Sequence, residues 1–125
     1  MPEESPPPFI VIRTPVQEAK REPYDRALAL VGMVHEIVNK ATTRFYLKDR
    51  LDRASTGLVF ELGRASKAVS TVRWRNYRAA NDHAADVATV LDILVSQKAA
   101  PELELERARA LVRDLLADIA PRCNG

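Results

Sequence analysis

In residues 72–98, VRWRNYRAANDHAADVATVLDILVSQK, the apolar positions Tyr77, Ala80, Ala84, Val87, Leu91 and Leu94 are three and four residues apart in unbroken alternation. That spacing puts them on one stripe of an α-helix. A stripe held so regularly implies packing against neighbouring helices at the shallow crossing angles of a bundle. The reading extends outward in both directions. Upstream, Leu47, Leu51, Ala54, Leu58, Leu62 and Ala65 predict a helix over 44–66, with two successive steps of four around Leu58 that break a strict heptad. Between the two lies KAVSTVRW, where Ser70 or Thr71 is expected to cap the later helix.

Downstream, Pro101 separates the long helix from a stripe of Leu105, Ala108, Val112, Leu115 and Ile119, a helix over 102–120 that Pro121 stops. Further upstream, Ala27, Leu30, Val34, Ile37 and Ala41 predict a helix over 23–42, with Pro23 suited to its first turn. Connections this short force sequence neighbours to run antiparallel. The expected fold is therefore all-α, an antiparallel up-down-up-down four-helix bundle over residues 23–120.

Outside the bundle the chain changes character. Five of its eight prolines, Pro2, Pro6, Pro7, Pro8 and Pro15, fall in the first fifteen residues, where they deny the backbone helix and central-strand hydrogen bonds. Residues 1–22 are read as an extended, flexible arm. Within it Phe9, Ile10, Val11 and Ile12 form a β-branched, apolar run unusual for a solvated tail, and a candidate for docking on the bundle or on a neighbour. Residues 121–125 are read as a disordered C-terminus.

A chain of 125 residues has room for one hydrophobic core, and 46% apolar with 29% charged residues is ordinary globular composition. No run approaches the roughly 18 to 20 apolar residues of a membrane span, and the acidic, proline-rich start lacks the pattern of an export signal. Cys123 has no partner for an internal disulfide. The expected location is the cytoplasm. A net charge of +2 implies no partner, but its distribution is uneven. Residues 44–78 carry nine basic groups against three acids, a net of +6, whereas residues 79–125 carry five against eight, a net of −3. Gathered on one side, the first segment makes a basic face suited to phosphate or to an acidic protein; spread out, it is a solvated helix surface.

No catalytic constellation is present in the sequence. A carboxylate-bridged metal pair in a bundle needs inward acids and Glu-x-x-His spacings, and the nearest approach is His83 with Asp86, too few ligands for a site and off the apolar stripe. His35 is read as a half-buried helix residue. There is no nucleophile-elbow spacing, and the four glycines are scattered. Neither metal nor cofactor is expected. Gly57 and Gly63 interrupt a helix at about 1 kcal/mol each relative to alanine, which points either to close helix packing or to backbone exposed to a partner. The most suggestive run is Arg73-Trp74-Arg75-Asn76-Tyr77-Arg78. Arginine pairs with phosphates while aromatic rings stack on unpaired bases. Trp74 and Tyr77 also fit the core stripe; if buried there, they leave only the arginines for recognition.

The stretches Leu51-Asp52-Arg53-Ala54-Ser55, Glu61-Leu62-Gly63-Arg64-Ala65-Ser66, Arg75-Asn76-Tyr77-Arg78-Ala79-Ala80 and Leu91-Asp92-Ile93-Leu94 resemble the bacterial four-helix bundle family of the 23S rRNA intervening-sequence proteins. That superfamily includes the accessory variability proteins of diversity-generating retroelements. The resemblance spans roughly residues 24–120. It implies a non-enzymatic bundle that assembles into a ring, commonly a pentamer, with a basic surface, and in the retroelement branch a reverse transcriptase and its RNA as partners. No catalytic residue carries over. Arg50, Arg53, Arg64, Lys67, Arg73, Arg75 and Arg78 are the positions expected to contact RNA or DNA. The alternative function is a protein-interaction or scaffold module docking through Phe9–Ile12.

Overall fold

The computed structural model describes residues 22–124, which fold as four α-helices and a closing 3-10 turn. Helix α1 spans Pro23–Lys40, α2 Phe45–Lys67, α3 Arg73–Gln97 and α4 Glu102–Ile119, with the 3-10 turn at Ala120–Cys123. All four lie within two residues of the ranges the periodicity predicts. Each helix packs on its sequence neighbour, and α4 returns to pack on α1, closing an antiparallel four-helix bundle. Among the described residues there is no strand, and no helix is long and apolar enough to cross a membrane. Phe9, Ile10, Val11 and Ile12 lie outside the described residues.

The inward stripes form one continuous core in which Leu30, Ile37, Leu51, Leu58, Leu91 and Leu115 are fully buried. Each such side chain contributes about 1.5–3 kcal/mol of transfer free energy. Two loops at one end of the bundle are stitched together: the Thr42 amide donates to the Ala99 carbonyl at 2.7 Å, and the Thr43 hydroxyl to Gln97 Oε1 at 2.7 Å. Helix α3 ends with Lys98 in the left-handed region at φ 51, which turns the chain so that the Ala99 amide reaches the Leu94 carbonyl at 3.0 Å.

The opposite end is built differently. The expected cap by Ser70 or Thr71 does not form: the residue before α3 is Val72, and no side chain caps the helix. The turn is closed instead by backbone and by arginine. The Val72 amide donates to the Val69 carbonyl at 3.0 Å, and Arg73 Nη2 donates to the Ala68 carbonyl at 2.9 Å, one of the acceptors that α2 leaves free at its C-terminus. The C-terminus is also corrected. Rather than being disordered from residue 121, the chain continues through the 3-10 turn, which packs on α3 and places Cys123 against the core.

Candidate nucleic-acid interface

The seven nominated basic residues divide into two groups along α2 and α3. Arg50 and Lys67 are seventeen positions apart on one helix, roughly 25 Å at 1.5 Å per residue, so the +6 segment is not a single patch. Near the start of α2, Arg50 Nη2 is paired with Asp86 at 3.3 Å, and Arg53 Nε with Asp49 at 2.9 Å. Arg64, further along, is paired with Glu61 at 2.7 Å, and Glu61 also accepts from Asn76 at 3.2 Å. Each of these three cations thus has an acid beside it, although all three remain exposed to solvent. Arg73 is half-buried and committed to the Ala68 carbonyl, with its Nε buried and unbonded; its exposure was expected and is not found.

Lys67, Arg75 and Arg78 remain, all exposed and none within salt-bridge distance of an acid among the described residues. Arg75 and Arg78 lie over the Trp74 ring, their guanidinium carbons 5.5 and 5.6 Å from its centroid. They stand at the N-terminus of α3, where the helix dipole is positive, no acid occupies the first turn and no side chain caps the free amides. Three like charges there raise the local potential instead of balancing it, an arrangement that favours a bound anion.

The two aromatic rings have different fates. Tyr77 is half-buried against the core, whereas Trp74, also half-buried, lies outside the core cluster. Arg122, absent from the sequence-based set, joins this end of the bundle. Its guanidinium lies over the Tyr77 ring at 5.6 Å, donates to the Tyr77 hydroxyl at 3.5 Å and pairs with Asp118 at 3.2 Å. The hydrogen bond to Tyr77, with Asp118 beside it, raises the Arg122 pKa against the opposing effect of burial. With Lys67, Tyr77, Tyr24 and Gly63 it lines a concavity of about 450 Å³. Asp118 stands four residues before Arg122, but no local signal marks its other partner, Tyr77, which is 45 residues away.

The glycines resolve separately. A Cβ on Gly57 would stand 2.8–2.9 Å from the His83 ring, so Gly57 is the seat on which His83, half-buried between α2 and α3, packs. A Cβ on Gly63 would meet only Tyr24 Cε1 at an ordinary 3.5 Å. His35 is exposed, in hydrogen-bond contact with Asn39 at 3.3 Å, rather than half-buried. Among the described residues no group of three His, Cys, Asp or Glu side chains gathers to hold a metal.

Apolar surface is exposed as well. Phe45, Phe60 and Leu28 retain 78%, 66% and 47% of their accessible area. Periodicity attends to inward stripes, but Phe60 stands off the Leu58–Leu62 stripe and was legible as an outward residue. No protein-family model and no curated protein matches the chain.

Proposed function

We propose that this chain is a non-enzymatic binding module that associates with nucleic acid through the α2–α3 end of its bundle. The observation that carries the reading is the pair Arg75 and Arg78, two exposed guanidiniums that have no acid partner among the described residues and lie over Trp74, with Lys67 across the turn. Arg50, Arg53 and Arg64 play a smaller part, since each already holds an acid. If Lys67, Arg75 and Arg78 each neutralise one phosphate, log affinity falls with log salt at a slope of roughly −2. Affinity then drops about 20-fold between 50 and 200 mM salt. The test is fluorescence anisotropy with a labelled RNA across that salt range. Arg75→Glu with Arg78→Glu should abolish binding, and Arg50→Glu with Arg53→Glu should weaken it only modestly; equal effects of the two pairs would refute the assignment.

A protein-interaction role has an observation of its own in the exposed Leu28, Phe45 and Phe60 on the consecutive helices α1 and α2. Phe45 and Phe60 stand fifteen positions apart on α2, roughly 22 Å, and the occupant this reading takes is a second copy of the chain laid along that helix. Light scattering should then give a mass well above 14.0 kDa, lowered by Phe60→Ser. A wild-type monomer would remove the self-assembly reading. The ring of five and the reverse transcriptase partner rest on the family resemblance alone.

A further inference from the structure

We infer that Trp74 is a stacking platform for an unpaired nucleobase, so that the basic end takes single-stranded nucleic acid in preference to duplex; this rests on the polyanion reading above. Trp74 is the only tryptophan of the chain and stands in the first turn of α3, outside the core cluster that takes in Tyr77. A large apolar ring left out of the core at a bundle end does little for folding. The ring is half-buried, and Arg75 and Arg78 lie over it, each about 5.5 Å from its centroid.

Both guanidiniums are exposed, and cation–π attraction to a solvated cation is weak enough to be readily exchanged. A base approaching the ring replaces a guanidinium over the π-face, and the displaced guanidinium turns to the adjoining phosphate. Arg75 and Arg78 are three residues apart on one helix face, with side chains rooted about 5–6 Å from each other. Two cations beside one ring offer partners for the phosphates that adjoin a stacked base along one strand. Paired bases in a duplex keep their faces stacked inside, where a ring rooted on a bundle surface has no access to them. Tyr77 takes no part, because its ring packs on the core and its hydroxyl is engaged by Arg122.

The experiment uses the intrinsic fluorescence of Trp74 in the full chain, titrated with three probes: a short oligouridylate, an RNA duplex of equal length and inorganic polyphosphate. Oligouridylate should quench the emission and bind more tightly than the duplex, while polyphosphate should bind without comparable quenching. Trp74→Leu should lower oligouridylate affinity roughly 5- to 160-fold and leave polyphosphate affinity within about twofold; Trp74→Phe should restore part of the loss. Circular dichroism of both variants checks that the bundle is intact. If duplex and oligouridylate bind equally and Trp74→Leu affects neither, stacking is overturned while polyanion binding stands. If none of the three probes binds, the polyanion reading fails and takes this inference with it.

Discussion

Asp118→Asn removes the counter-charge of Arg26, whose side chain retains 7% of its accessible surface while Asp118 retains 30%. Arg26 is rooted on α1 and donates from Nη2 to Asp118 on α4, and its Nε is buried without a partner. Removing one member of a fully buried pair costs about 3–5 kcal/mol, because a charge is left in a poor solvent. Two features reduce that figure. Asp118 is partly hydrated, and it sits in the last turn of α4, where a negative charge opposes the helix dipole by about 0.3–1 kcal/mol. The expected loss is therefore about 2 kcal/mol, a fall in Tm of roughly 8–16 °C for a domain of about this size. Arg26→Met is the informative partner variant. It keeps the apolar stem, removes the buried charge, and leaves Asp118 paired with Arg122 at 3.2 Å, so its cost should stay below about 1 kcal/mol. Thermal and urea unfolding followed by circular dichroism measure both. Should Arg26→Met cost as much as Asp118→Asn, attraction within the pair and not the stranded charge would govern stability, and the reasoning would be wrong.

Lys98 holds φ at 51 without a glycine's freedom, so Lys98→Gly should raise stability by about 0.5–1 kcal/mol in urea unfolding. Gly63→Ala, with room for its methyl beside Tyr24, should stabilise by up to about 1 kcal/mol. Gly57→Ala should gain that much only in a His83→Ala background, since the His83 ring occupies the space; equal gains in both backgrounds would show that the ring moves aside freely. Burial raises the Cys123 thiol pKa, with Asp82 adding to the rise and Arg78 opposing it. Iodoacetamide at pH 8 should therefore alkylate the folded chain more slowly than the urea-unfolded chain. A thiol pKa higher in the folded state contributes stability that is complete below the unfolded thiol pKa and is lost as pH rises through the folded value. Mildly alkaline unfolding curves should show that decline, and Cys123→Ser should flatten it.

Helix positions, their order and their inward faces were all legible in the sequence, because the three-four spacing is a property of each helix alone and short connections leave one simple closure. Clusters of like charge were legible too, but not what each charge does. Arg50 meets Asp86 across two helices and Arg122 meets Tyr77 at a separation of 45 residues, so which cations find a partner is set by register between helices. The same holds for Gly57 and Gly63, alike in sequence and distinguished only by the His83 ring packed on one of them. Trp74 and Tyr77 share a run and a spacing, yet only Tyr77 packs against the core, while Trp74 stands in the first turn of α3. Local periodicity thus determined the elements, while pairing, neutralisation and exposure came from distances between elements that only the packed tertiary structure defines.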